Sequence, residues 1–528
     1  MKLSLDSYNW SLKHLIREHD TDLFPLPFEI EAIKNQWGLL GPEFAHLDVT
    51  NYTWRGGRRF VVPKGHLAFR LATQLDPIDS IVLSALIYEY GRILESSRLP
   101  TSDECVFSYR FAPDAEGRLY SPSQAWHDFW RTSKRKAASR PKGSVLIADI
   151  SDFYNQIYHH VLERHFATAG LPESVAKVLQ RYLQTLTDKG SRGVPVGPHT
   201  SHLLAECALD SLDRSLKAHG YDHCRYVDDI HIFVNDETSA LSALYDVTQI
   251  LDSQQRLIVQ REKTQTLSSS DFQILADEML LDRPINQREA DILEVIARET
   301  SSDPYADVAL TTLAPADLIK LRREVLEDLL AVYLNQSPVD YSRLAWLIRR
   351  LTQVGAPGAL EIITSRIGSF GPILGPVARY IMAAVPNYDG DHVALGGALV
   401  KALDLPIIGR SPYLQMVLLD VMATIPGLNH IDQLTARYST ADTSVRRGIL
   451  LTAASGKRSD WLRDRKTDFR TMDPWSKRAF IKASAALPHD ENKFWLDSVR
   501  DSFRPLERVV AKHALPGSKV GDIKIAQE

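Results

Sequence analysis

Tyr226, Val227, Asp228 and Asp229 stand between apolar residues on both sides, with Cys224 before them and Ile230, Ile232, Phe233 and Val234 after. The pattern predicts strand, acidic tip, strand. A two-residue hairpin loop ordinarily takes Asn-Gly or Asp-Gly, because both positions adopt positive φ, so adjacent carboxylates are a poor structural choice. Broken local rules concentrate at functional positions. Two like charges this close repel unless a cation lies beside them, and carboxylate oxygens with water suit Mg²⁺. The bland alternative is a solvated turn with two idle acids, and a bare acidic pair is a weak signal.

A second acid strengthens it. The run Ser144 to Ile150 is strongly apolar and carries Asp149 at its end, before Ser151, Asp152, Phe153 and Tyr154 open a helix. Phosphoryl transfer of the polymerase type needs carboxylates from different elements to share two divalent ions, and Asp149 and Asp228 fit as the bridging ligands. Tyr154, five residues on, would lie beside an incoming sugar, where its bulk excludes a 2′-hydroxyl; plain helix packing is the alternative. Between the two acidic elements runs a loop with Gly193, Pro195, Gly197 and Pro198, then a predicted helix from Ser201 to His219 that Gly220 ends. Its apolar face is Leu203, Leu204, Ala208, Leu212 and Leu216, while the loop glycines allow backbone to approach a sugar or base closely.

First acid, Gly-rich loop with helix, YxDD, and then Gln260-Arg261-Glu262-Lys263-Thr264 form an ordered set that resembles reverse transcriptases. Three further stretches, the opening SYNWSLKHLIREHDTDLFPLPFEI, then LATQLDPIDSIVLSALI and VFSYRFAP, are similar to those of the bacterial abortive-infection and unknown-group, defence-associated members. The likeness spans roughly residues 5 to 280. It implies a fingers-and-palm domain with Asp149, Asp228 and Asp229 at the catalytic and metal-binding positions and two Mg²⁺ ions, Mn²⁺ being able to replace them. It implies Tyr154 at the steric gate, Gly197 and Tyr226 beside the nucleotide, and Lys263 as proton donor to the leaving pyrophosphate. Where retroviral and intron-encoded enzymes carry Gln-Gly in the loop, this chain has Val196-Gly197, which puts contact with a templating base pair in doubt. The abortive-infection enzymes share that departure. They carry a helical-repeat domain in place of a thumb, make untemplated DNA from dNTPs primed on a protein hydroxyl, and form trimers or hexamers.

The remainder of the chain fits that plan. It has 528 residues, 44% apolar and 24% charged, which excludes wholesale disorder and predicts two or three domains. Up to about residue 282 the texture is α+β, as expected of fingers and palm. From 283 to 528 apolar residues recur at helical spacing in short segments punctuated by Pro or Gly, which predicts an all-α, HEAT-like domain without a fixed repeated motif. No apolar run is uninterrupted enough to suggest a membrane span or targeting signal, and the three cysteines form no CxxC pair, so the expectation is a cytoplasmic protein with no membrane partner.

With 62 Lys+Arg against 66 Asp+Glu, any polyanion must be held by local basic clusters. One is WRGGRRFVVPKGHLAFR, matching the fingers region that grips triphosphate, with Lys64 and Arg70 as the expected contacts and a solvated hairpin as the alternative. Another is Arg131, Lys134, Arg135, Lys136, Arg140 and Lys142, a run of basic residues without an acid that could track a nucleic-acid backbone or simply form a flexible surface loop. His199, His202 and Glu206 match no zinc spacing, so no zinc is assigned. Tyr8, Tyr52 and Tyr120 are examples of hydroxyls that could carry a covalently attached single-stranded DNA product. The expected function is therefore a defence-associated DNA polymerase that is protein-primed and untemplated. The alternatives are an enzyme copying a dedicated noncoding RNA, and a non-catalytic helical scaffold binding a phage or host protein.

Overall fold

The computed structural model describes residues 1–18, 23–65, 67–121, 125–188, 190–280, 284–300, 308–518 and 521–525. Contacts divide the chain into two compact units: Met1–Thr21, Gly38–Arg58 and Thr73–Arg283 form one, and Asp22–Trp37, Arg59–Ala72 and Pro284–Glu528 the other. The expected boundary at 282/283 lies outside the described residues.

The first unit is built on a four-stranded antiparallel sheet. With the two-stranded ribbon β1 (Arg58–Gly65) and β2 (Ala68–Gln74) coming first in the chain, its strands are β3 (Ser144–Asp149), β4 (Asp222–Tyr226), β5 (Asp229–Val234) and β6 (Gln265–Ser268), in the order β4-β5-β3-β6. β3 is a near-continuous apolar run because both of its faces are covered. On one face Val145, Cys224 and Phe233 pack with Phe129 and Trp130 of helix Ala125–Ala138 and Phe272 of helix Ser269–Leu280. Helix Glu237–Gln255 also packs on β3 and β5. Helix Ser201–Ala218 packs on β4, and Gly220, at φ 79°, lies just past its end, as the sequence predicts. Burying each large aliphatic or aromatic side chain here contributes about 1.5–3 kcal/mol.

The second unit is helical apart from the ribbon. Helices Tyr341–Val354, Leu374–Ala384, Pro412–Thr424, Thr443–Ser455, Pro474–Ala483 and Pro505–Ala514 pack each on the next in a row, and the helices between them in sequence lie outside that row. Five of the six start with a side-chain cap, a proline at the first helical position or both. Asp340, Ser411, Asp442 and Asp473 each accept a hydrogen bond from a backbone N–H of the first turn, and Pro412, Pro474 and Pro505 occupy a first helical position where a missing N–H costs nothing.

Residues 59–72, which the sequence places in the first domain, are compact with this second unit. The reason is packing: Phe60 and Val62 are buried, and Phe60 forms an aromatic cluster with Phe24 and Tyr413. Glu29 fixes residues 22–37 in the same unit, its carboxylate taking bonds of 2.7–2.9 Å from Arg447 and Arg478. No helix among the described residues is long and apolar enough to cross a membrane.

Candidate active site

The two acidic elements meet through strand register. β3 and β5 pair antiparallel with Asp149 opposite Asp229, and the Ile150 N–H donates to the Asp228 carbonyl at 3.2 Å. Tyr226 pairs with Asp229, so Val227 and Asp228 alone make the hairpin turn. Val227 sits at φ 55°, a conformation that a β-branched residue takes only under constraint.

The constraint is a buried charge network. The Val227 N–H donates to Ser108 Oγ at 2.8 Å, and the Val227 carbonyl accepts from Arg225 Nη1 at 2.8 Å. Arg225 is fully buried and bonds both oxygens of Asp213, at 2.8 and 2.7 Å, and Glu206 at 3.0 Å. Ser108 donates to the other Glu206 oxygen at 2.5 Å, and Arg98 bonds Glu206 at 2.7 Å and the carbonyls of Ser108 and Tyr109 at 3.0 Å. Burial opposes charge on Asp213, but the Arg225 guanidinium outweighs it and holds the carboxyl down at about 2. Each guanidinium in the cluster is paired with a carboxylate, the condition under which buried charge is tolerated.

Lys263 closes the site. It ends the short helix Arg261–Lys263, and its Nζ donates to Asp149 Oδ2 at 2.6 Å. The Gln260 N–H just before that helix bonds the Asp149 carbonyl at 2.7 Å. Partial burial opposes the charge on Lys263, yet the bond to Asp149 and the fields of Asp149, Asp228 and Asp229 raise its pKa, so it is an ammonium at neutral pH. The Lys263 ammonium is thus bonded to Asp149 and lies in the field of Asp228 and Asp229. As placed, no three carboxylate, His or Cys groups among the described residues form a ready ion cage. The donor set still fits Mg²⁺: hard oxygens on two adjacent strands, already compensated by positive charge.

The other predicted residues are distributed as follows. Tyr154 lies on the single helical turn Phe153–Gln156 after β3, and the Val194 N–H holds its carbonyl at 2.8 Å. Gly197 is buried at φ 132°, and the preceding Val196 carbonyl accepts from the Thr73 N–H at 2.7 Å, so the loop is pinned on both sides. The Tyr226 ring packs edge-on against Trp126 at 5.1 Å and lies by Phe129. Lys64 and Arg70 belong to the second unit, where they line a cavity with Tyr341, Arg349 and Tyr413.

Most of the basic run is helix: Arg131, Lys134, Arg135 and Lys136 lie within helix Ala125–Ala138, while Arg140 and Lys142 fall in the turn after it. Its charges meet carboxylates: Arg131 with Asp128, Lys134 with Asp277, Arg135 with Glu104, and Lys136 and Arg140 with Asp222. Lys142 is exposed. A nucleic-acid strand would have to compete with those carboxylates. Tyr8, Tyr52 and Tyr120 are all buried, with the Tyr52 hydroxyl donating to Asp79 at 2.6 Å and that of Tyr120 to the His199 carbonyl at 2.8 Å. None of them offers its hydroxyl as a primer in this conformation. Sequence reasoning missed Arg98, Ser108, Asp213 and Arg225. The one signal was Arg225 itself, an arginine set between Cys224 and Tyr226 in a strand, which demands buried partners if that strand is covered.

Carboxylates brought together by paired strands with a charged lysine beside them are the arrangement that a nucleotidyltransferase centre of the palm type requires. Residues 112–294 match the family model described as reverse transcriptase (RNA-dependent DNA polymerase). The chain carries a reverse transcriptase domain and is a nucleotidyltransferase of that polymerase class. No curated protein matches it. Among solved structures it is similar to telomerase from Candida albicans in complex with a telomeric RNA fragment, at 12% identity and a TM-score of 0.30, over 76% of this chain and 67% of that one. It is also similar to apo telomerase from Candida tropicalis, at 10% identity and 0.32, over 68% of each chain. Both scores are below the level at which whole chains share an architecture.

Proposed function

We propose that this protein is a DNA polymerase of antiphage defence that adds dNTPs to a tyrosine hydroxyl with little or no template, acting as a cytoplasmic homo-oligomer. The observation that carries the catalytic part is the β3–β5 register, which sets Asp149 against Asp229 and brings Lys263 among the acids. Bound Mg²⁺ would supply Lewis-acid activation of the attacking hydroxyl and neutralise charge developing on the triphosphate. Asp149, Asp228 and Asp229 would hold it, the Lys263 ammonium would give its proton to the leaving pyrophosphate, Tyr154 would exclude a 2′-hydroxyl, and Lys64 and Arg70 would bind phosphate. The untemplated mode is supported by Val196 in place of glutamine and by a helical unit where a thumb would follow. The row of helices each packed on the next supports a HEAT-like reading of that unit.

The test uses protein freed of nucleic acid by nuclease and supplied only with labelled dNTP and Mg²⁺. Label that stays with the protein on a denaturing gel, is removed by DNase and maps to one tyrosine is the expected result. No incorporation until RNA is added would overturn the untemplated reading. It would favour copying of a noncoding RNA, the alternative that the RNA-dependent description of the matching family supports.

A further inference from the structure

The histidine that opens helix Ser201–Ala218 belongs to no zinc site, yet it is held from two sides. His202 Nδ1 and the Tyr154 hydroxyl are joined by a hydrogen bond of 2.6 Å, with the two rings edge to face at 5.8 Å. On its flat side the His202 ring is stacked by Tyr109, at 3.9 Å between centroids and 3° between planes. Tyr109 takes φ 44°, an uncommon conformation for an aromatic residue, and Arg98 holds it there by bonding the Tyr109 carbonyl at 3.0 Å and that of Ser108 at 3.0 Å. Arg98 is in turn fixed by Glu206, one helical turn after His202 on the same helix.

Contact therefore runs unbroken from Glu206 through Arg98 and Tyr109 to His202 and ends on the Tyr154 hydroxyl. Backbone strain of this kind persists where the surroundings over-determine it, and here what it sets is the angle of one imidazole. Tyr154 lies on a single helical turn, its carbonyl bonded by the Val194 N–H and its ring edge-on to Phe153 at 5.4 Å. The bond to His202 adds a fixed point at the far end of the ring.

We propose that His202, backed by Tyr109, is a positioning residue for sugar discrimination: it locks the Tyr154 ring where a ribose 2′-hydroxyl would collide with it. The inference rests on Tyr154 being the gate, which is part of the functional reading above. A gate discriminates only as far as it is rigid, because a ring free to rotate admits the extra hydroxyl at small cost. His202 touches no substrate in this scheme and acts only through Tyr154.

The experiment compares kcat/KM for dCTP with that for CTP in the wild type, Tyr154→Ala, Tyr154→Phe, His202→Ala and His202→Asn. Tyr154→Ala should lower the dCTP preference by about 100-fold or more. His202→Ala should lower it by about 10-fold with kcat for dCTP nearly unchanged, and Tyr154→Phe, which loses the same bond but keeps the ring, should lower the preference to a similar degree. His202→Asn, whose amide reaches the Nδ1 position, should restore most of it. If Tyr154→Ala relaxes selectivity while His202→Ala and Tyr154→Phe leave it at the wild-type value, the locking role is overturned and the gate stands. Unchanged selectivity in Tyr154→Ala overturns both.

Discussion

Ser108 serves two masters at once: its Oγ accepts from the Val227 N–H and donates to Glu206. Replacing it by Ala leaves a buried N–H and a buried carboxylate oxygen each one bond short, and an unmade buried bond costs about 1–3 kcal/mol. Ser108→Ala should therefore lower unfolding stability by about that amount. It should also reduce dNTP incorporation beyond what instability explains, because the released N–H belongs to the turn that carries Asp228. Thermal unfolding and initial rates on the same preparation check both; a stability loss with unchanged rate would separate the network from the turn. None of this was legible in sequence. The acids announced themselves because charge at the end of an apolar strand is conspicuous, whereas Ser108 and Asp213 look ordinary until the fold brings Arg225 between them.

Among elements, β3, β5 and helix Ser201–Ala218 follow directly from apolar periodicity and a terminating glycine. The β1–β2 ribbon did not: its strands were readable, but which unit Phe60 and Val62 bury against is a tertiary fact. The basic run also read differently in isolation, since Asp222, Asp277 and Glu104 neutralise it from distant positions in the chain. Helix Phe28–Asn35 gives the clearest electrostatic expectation. Burial would push the Glu29 carboxyl up, but Arg447 and Arg478 bring it down to about 2 from an ordinary 4.5. A depressed carboxyl pKa stabilises the fold above the unfolded value, and the contribution is lost as pH falls from about 4.5 towards 2. The linkage is worth about 3 kcal/mol. Melting temperature against pH should fall through that window in the wild type. In Glu29→Gln the curve should start lower, by the equivalent of about 3–5 kcal/mol for two stranded guanidinium groups, and flatten. Parallel curves would show that Glu29 is not ionised in the fold.

At the scale of the molecule the chain comprises a palm-bearing unit and a helical unit of similar size, and the three aspartates and Lys263 belong to the first. Tyr154 and Gly197 belong there too, while one strand register and one buried ionic network position the three aspartates. The central claim is that the carboxylate at the end of β3 acts together with those at the β4–β5 turn. Asp152 is a natural control: it lies three residues further on, is exposed, and bonds only its neighbours Asn155 and Gln156. The most direct measurement is the rate of dNTP incorporation by Asp149→Asn beside Asp152→Asn, both verified as folded by their unfolding curves. The account predicts that Asp149→Asn abolishes incorporation while Asp152→Asn stays within a few-fold of the wild type. Undiminished synthesis by Asp149→Asn would contradict it.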